Sequence, residues 1–94
     1  MEISIKSIQQ LGIQTAAFLA FLRDKHEQLG LSNAEAVEVQ RKEFVDAFDY
    51  SHNSQIRYER NLEDAGLVEI NRNNGSGRGN TYKLNASLIK KLYA

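Results

Sequence analysis

The run from Ile13 to Leu22 is the part of the sequence that most constrains how this chain can fold. Eight of the ten residues in "IQTAAFLAFL" are apolar, so a helix built from them has hardly any polar face to turn toward water. Such a helix needs several neighbours. Its polar continuation, residues 23–28, is expected to emerge into solvent and to stop at Leu29-Gly30. The longest uninterrupted apolar run, Ala16 to Leu22, is far too short to span a bilayer.

Composition and charge set broad limits. The chain has 94 residues and no cysteine, which predicts one domain, residues 1–94, without disulfides or thiolate chemistry. The start, "MEISIK", lacks the pattern of a signal peptide, so we expect a cytoplasmic protein. Net charge is zero, yet residues 1–51 carry five Lys/Arg against eight Asp/Glu, and residues 52–94 carry seven against four. A polyanion responds to such local charge within a Debye length of roughly 8–10 Å.

Hydrophobic periodicity and turn signals predict four helices and four short strands. Alternation at Ile3 and Ile5 favours a first strand. Ser51 and Asn85 are typical helix N-caps, and Gly66 suits a helix C-terminus. In chain order, the predicted elements are a strand at 3–5, a helix at 13–28, a strand at 37–40, a helix at 41–48, the connector "DYS" at 49–51, a helix at 52–65, strands at 67–71 and 80–84, and a helix at 86–93.

The stretch "NRNNGSGRGNTYKL", residues 71–84, has glycine at every second position from Gly75 to Gly79. A phosphate-binding P-loop would need Gly-Lys-Ser/Thr followed by a helix, and a dinucleotide fingerprint would need a crossover helix. Here a strand follows and neither motif is present. The stretch therefore predicts the tip of a β-hairpin. Two interpretations stay open: a purely structural hairpin end with an incidental arginine, or a tip that contacts a polyanion.

Two short helices joined by a tight turn and followed at once by a hairpin form the winged helix-turn-helix arrangement. The segment "YSHNSQIRYERNLEDAGLVEINRNNGSGRGNTYKLN" resembles the helix-turn-helix and wing of small bacterial and phage winged-helix proteins, especially the N-terminal domains of phage replisome organisers and plasmid initiators. The matching features are "S…R…LEDAGLV", a basic Gly/Asn loop and "NTYKLN", and the resemblance covers roughly residues 37–85. It implies an α+β winged helix-turn-helix fold, with the helix-turn-helix at about 41–66 and the wing hairpin at about 67–84.

The resemblance also implies double-stranded DNA binding without cofactor, through a recognition helix at 52–65 and a wing at 71–80. The expected role is a small transcriptional regulator or a replication accessory protein of a phage, plasmid or similar element, in the cytoplasm of a prokaryotic or virus-infected cell. The alternative is a winged helix used as a protein–protein interaction module in a replication or transcription complex. The zero net charge and the acidic first half keep that alternative open.

A helical wheel at ~100° per residue divides the recognition helix into two faces. Tyr58, Leu62 and Ala65 form the predicted buried stripe. If Ile56 is buried instead, the helix is rotated and Gln55 becomes a base-reading residue. The predicted outward face contains Asn53, Ile56, Arg57, Arg60 and Asp64.

The candidate DNA contacts divide by their expected roles. Asn53 and Arg57 are expected to read base edges, and Arg72 and Arg78 are expected to contact phosphates or the minor groove. As a structural alternative, Arg57 and other charged residues of the helix could simply form a solvated face. Glu59, Glu63 and Asp64 would repel phosphate and are expected to face away. The full set of candidate contacts is Lys42, Ser51, His52, Asn53, Gln55, Ile56, Arg57, Arg60, Arg72, Asn74, Arg78 and Asn80.

The sequence offers little for catalysis, metal binding or small-molecule binding. Two histidines without cysteine do not make a zinc site, and no serine lies in a nucleophile motif, so we expect no enzyme activity, metal or cofactor. The last helix has one apolar side. This side either closes over the domain's own first helix or meets a second copy, and we expect a homodimer through the first and C-terminal helices. The apolar residues concerned are Leu88, Ile89, Leu92 and Tyr93.

Overall fold

In the computed structural model, residues 2–48, 52–72 and 79–94 are described, and of His52 only the backbone. Within these ranges the chain forms an α+β domain of five helices and one three-stranded antiparallel sheet, an arrangement compatible with a winged helix. None of the helices in the described ranges is long and apolar enough to cross a membrane. The helices are α1 Ile5–Leu11, α2 Ile13–Gln28, α3 Arg41–Phe48, α4 His52–Asp64 and α5 Ala86–Leu92, and the strands are β1 Val37–Val39, β2 Val68–Asn71 and β3 Asn80–Leu84.

The predicted first strand is wrong, because residues 5–11 form helix α1. The Ser4 side chain accepts a hydrogen bond from the Ser7 amide at 3.0 Å and so caps the helix. Ile5 is 73% exposed, so the alternation at this end of the sequence does not mark a buried strand face. Gly12 separates α1 from α2 with φ +85°, a left-handed conformation that favours glycine.

Helix α2 occupies the centre of the domain, as its apolar sequence predicts. Phe18, Leu19 and Leu22 are fully buried. The Phe18 ring lies 4.5 Å from that of Phe44 on α3 and 6.0 Å from that of Tyr82 on β3, measured between centroids. An ion pair between Lys25 and Glu43 also joins α2 to α3. Elements from the middle and the end of the chain thus supply the neighbours that this helix needs.

The predicted pairing of the two hairpin strands is confirmed, and the predicted tip at residues 73–78 lies outside the described residues. The sheet also contains one pairing that the sequence did not reveal. β2 pairs with β3 antiparallel, with Ile70 opposite Tyr82. β1 pairs with the other edge of β3, with Val37 opposite Tyr82, which makes the strand order β1-β3-β2. At Gly79 the backbone passes so close to β1 that an added Cβ would overlap the carbonyl of Val39. A residue without a side chain is therefore needed at position 79, where the chain entering β3 approaches β1 closely.

The last helix closes over the domain's own core. The Asn85 side chain accepts a hydrogen bond from the Leu88 amide at 3.2 Å, which confirms the predicted cap. Ile89 and Leu92 belong to the buried core cluster, and Tyr93 packs against it in part. The apolar side proposed for a homodimer is thus already engaged within the domain, and the homodimer stays a prediction.

Two substitutions in α2 test how the core is built. Phe18→Ala removes a fully buried ring and should lower the free energy of unfolding by about 3–5 kcal/mol. Ile13→Ala is the matched control, since Ile13 is 64% exposed, and should change the free energy by less than about 0.5 kcal/mol. Urea unfolding measures both. Equal losses in the two variants would contradict this placement of α2.

Candidate nucleic-acid interface

Helix α4 turns one face to the core and the other to solvent, as the sequence predicts. Tyr58 and Leu62 are buried and Ala65, just past the helix, is half-buried. On the opposite side, Asn53, Arg57 and Arg60 are exposed, at the i, i+4, i+7 spacing that puts them on one stripe. Asp64, the last residue of α4, is exposed on the same stripe, as the helical wheel predicted, so the expectation that it faces away from this side is wrong. Ile56 is half-buried at the edge of the stripe.

The alternative rotation of α4, with Gln55 facing outward, is not the one observed. Gln55 is only 7% exposed, and its Nε2 donates to Glu59 Oε2 at 3.4 Å. Its amide is therefore used inside the domain. We leave Gln55 out of the outward face, although the sequence placed it among the candidate contacts.

One flank of α4 is held to α2 by polar side chains. The Tyr58 hydroxyl donates to Gln14 Oε1 at 2.6 Å, and Asn61 Nδ2 donates to Thr15 Oγ1 at 3.0 Å. The Arg57 guanidinium lies over the Tyr58 ring, 5.3 Å from its centroid. Arg57 thus packs against Tyr58, and its side chain remains exposed to solvent.

The other flank of α4 is held to the sheet through the carboxylate of Glu59, a residue that is 1% exposed as a whole. The Tyr82 hydroxyl donates to Glu59 Oε2, as do Asn80 Nδ2 at 3.3 Å and Gln55 Nε2 at 3.4 Å. Within the described residues, no buried side-chain nitrogen or oxygen lacks a hydrogen-bond partner. A buried carboxylate satisfied in this way joins a helix to a sheet in one defined orientation.

Arg72, immediately after β2, lies against the same flank of α4. Its guanidinium donates to Glu63 Oε1 at 3.0 Å and lies 3.5 Å from Glu59 Oε1. The hydrogen bond to Glu63 raises the pKa of Arg72 above its usual value, and the charges of Glu63 and Glu59 act in the same direction. Arg72 was predicted as a wing contact to DNA, but it is turned toward two carboxylates of α4.

The remaining candidate contacts differ in how they are placed. Lys42 is exposed in the first turn of α3. Asn80 is half-buried and bound to Glu59. Four candidates lie outside what the structure describes, either entirely or in their side chains: Ser51, His52, Asn74 and Arg78. Their predicted contacts stay predictions.

Sequence reasoning missed the buried role of Glu59 and its partner Tyr82. Glu59 was expected only to face away from phosphate, yet it lies inside the domain. The wheel contained a signal, since Glu59 follows Tyr58 directly and precedes Leu62 by three residues, next to the buried stripe. A carboxylate at such a position implies donors on the facing element. "NTYKL" supplies them, through the Asn80 amide and the Tyr82 hydroxyl.

A separate groove of about 450 Å³ lies between α2 and α5. Its lining combines apolar side chains such as Ile89 and Tyr93 with the cationic Arg23 and Lys90. The Arg23 guanidinium already stacks on Tyr93, 3.9 Å from the ring centroid. None of the residues lining this groove was a candidate DNA contact.

Compared with protein families, curated proteins and solved structures, the chain has no match. Across residues 2–48, 52–72 and 79–94, no group of three or more His, Cys, Asp or Glu side chains is arranged to hold a metal ion. Function must therefore be inferred from the geometry of the domain itself.

The buried hydroxyl of Tyr82 makes stability sensitive to alkaline pH. Burial raises the pKa of Tyr82 far above its usual value near 10, and the hydrogen bond and charge of Glu59 raise it further. A pKa raised by folding stabilises the folded state below the unfolded pKa, and this contribution is lost as pH rises above it. The free energy of unfolding should therefore fall above about pH 10.

In Tyr82→Phe this alkaline fall should be smaller than in the wild type, although the variant is less stable at neutral pH because Glu59 loses a donor. The pKa of Tyr93 is also raised, mainly by burial, and it contributes equally to both proteins. Urea unfolding across the alkaline range gives the comparison. An identical fall in the two proteins would contradict this account of Tyr82.

Proposed function

We propose that this chain is a winged helix-turn-helix protein that binds double-stranded DNA through the outward face of α4. The observation that carries the proposal is the orientation of α4. Both of its flanks are fixed by polar contacts inside the domain, while Asn53, Arg57 and Arg60 share an exposed stripe. A helix held in this way, with a cationic and amide-bearing face, suits the major groove of duplex DNA.

The order of the elements supports this proposal. α3 and α4 are followed by the β2–β3 hairpin, and β1 pairs with β3. In a helix-turn-helix the second helix enters the major groove and the first crosses the backbone. With α4 as the recognition helix, α3 takes the place of the first helix and offers Lys42, which is exposed, for a phosphate contact.

The side chains on the outward face suit different DNA groups. Arg57 and Arg60 supply guanidinium groups for phosphates or for guanine O6 and N7, and the Asn53 amide matches adenine N6 and N7. Ile56, half-buried at the edge of the stripe, has an apolar surface suited to a thymine methyl group. Asp64, at the far end of α4, is unfavourable near phosphate, which favours contact through the first part of the helix.

We propose a role as a small transcriptional regulator or a replication accessory protein of a phage, plasmid or similar element. A second candidate is a winged helix that docks another protein. The charge distribution favours it, because the chain has no net charge and residues 1–51 carry more Asp/Glu than Lys/Arg, which is not the pattern that a polyanion attracts most strongly. Salt-dependent affinity for duplex DNA separates the two functions.

Removing charge from α4 should weaken DNA binding in a way that salt reveals. We expect wild type to bind random duplex DNA with a dissociation constant on the order of 10⁻⁴–10⁻⁶ M at physiological salt. The double variant Arg57→Gln/Arg60→Gln should reduce the slope of log affinity against log salt by up to about 2 units, since each phosphate contact contributes about 0.9.

The double variant Lys90→Gln/Lys91→Gln is the matched control, because it removes two exposed positive charges from α5. It should leave the slope unchanged. Fluorescence anisotropy with labelled duplex at several salt concentrations measures all three proteins. Wild type that fails to bind at low salt, or an R57Q/R60Q variant with the wild-type slope, would refute DNA binding through this face.

A further inference from the structure

The buried charge of Glu59 is not explained by DNA binding alone. Its side chain is 2% exposed, and three uncharged donors, from Gln55, Asn80 and Tyr82, reach one of its oxygens, Oε2. Hydrogen bonds satisfy the lone pairs of a carboxylate, but an ionised carboxylate out of water also needs a countercharge. Among the described residues, Arg72 is the cation that pairs with it, 3.5 Å from Oε1.

Arg72 stands where the chain leaves the sheet. It follows Asn71, the last residue of β2, and its guanidinium reaches back to two carboxylates one helical turn apart on α4, Glu59 and Glu63. A guanidinium has five donors in a planar fork and can serve two acceptors at once. The same side chain thus joins the end of β2 to the middle of α4.

We propose that Arg72 is a positioning residue that fixes the hairpin on α4, and that it does not contact DNA phosphate itself. This inference rests on the proposed function, because the orientation that Arg72 fixes is that of the DNA-binding face. It replaces the wing contact that the sequence predicted for Arg72. The principal role of Arg72 is to supply the countercharge of Glu59. Its solvent-exposed hydrogen bond to Glu63 adds a second contact with α4.

If the Arg72 side chain left the two carboxylates to contact a DNA phosphate, the change would be unfavourable for two reasons. Glu59 would remain buried with no countercharge, which is among the most destabilising changes that a folded protein can undergo. Glu63, 32% exposed, would lose its partner and present a bare carboxylate close to the incoming phosphates. With Arg72 in place, both carboxylates have a cationic partner, and their combined negative charge beside the DNA-binding face is halved.

Unfolding in the absence of DNA tests the pairing. The proteins compared are wild type, Glu59→Gln, Arg72→Gln, the double variant E59Q/R72Q, and Arg60→Gln as a control that loses an exposed arginine from the same helix. R72Q should reduce the folding equilibrium constant by roughly tenfold or more, and R60Q should leave it nearly unchanged. The double variant, which buries no charge, should be more stable than the sum of the single losses predicts.

Binding to random duplex DNA at several salt concentrations tests the role. R60Q should reduce the salt slope by about 0.9. R72Q should lose affinity at fixed salt while its slope changes by less than about half a unit, and E59Q/R72Q should recover part of that affinity. Arg72→Lys keeps the charge but not the fork, so its stability and affinity should lie between those of wild type and R72Q.

Two results would overturn the inference. One is an R72Q variant with wild-type stability whose salt slope falls as far as that of R60Q, as expected of a phosphate contact. The other is strict additivity of E59Q and R72Q in unfolding. If wild type shows no salt-dependent binding to DNA at all, the proposed function is refuted, and so is the role of Arg72 in orienting a DNA-binding face. The unfolding comparison still decides whether Arg72 and Glu59 are coupled.

Discussion

The buried carboxylate of Glu59 is the constraint on which the arrangement of α4 depends. An ionised group can stay inside a small domain only where donors and a countercharge surround it, and Tyr82, Asn80 and Arg72 supply these from the hairpin. Since Glu59 must meet them, α4 can pack on the sheet in only one rotation. The exposed stripe that carries Arg57 is the geometric consequence of that rotation.

Tyr82 connects this polar cluster to the apolar core. Its ring packs against Phe18 and Phe44, with centroids 6.0 and 5.8 Å away, while its hydroxyl binds Glu59. Tyr82, on the central strand β3, therefore contacts helices α2, α3 and α4. A shift of β3 by one residue would turn Tyr82 to the other face of the sheet, which would disturb the core and the polar cluster together.

The sequence predicted most elements but not how polar side chains join them. The apolar content of α2, the caps at Gly66 and Asn85 and the alternation in the hairpin are local signals, and the structure bears them out. Two features depend on long-range partners and stayed hidden, namely the pairing of β1 with β3 and the burial of Glu59. The prediction of a strand at residues 3–5 is wrong because the Ser4 cap starts a helix there.

The most direct test of DNA binding through α4 is a titration followed by NMR. Random duplex DNA is added at low salt to isotopically labelled protein, and the backbone amide chemical shifts are measured. DNA binding through the outward face of α4 predicts that the largest changes fall at Asn53, Arg57 and Arg60, with smaller ones at the start of α3. Amides beside the α2–α5 groove, such as those of Ile89 and Tyr93, should stay unchanged. Changes centred on that groove, with α4 unaffected, would contradict the account.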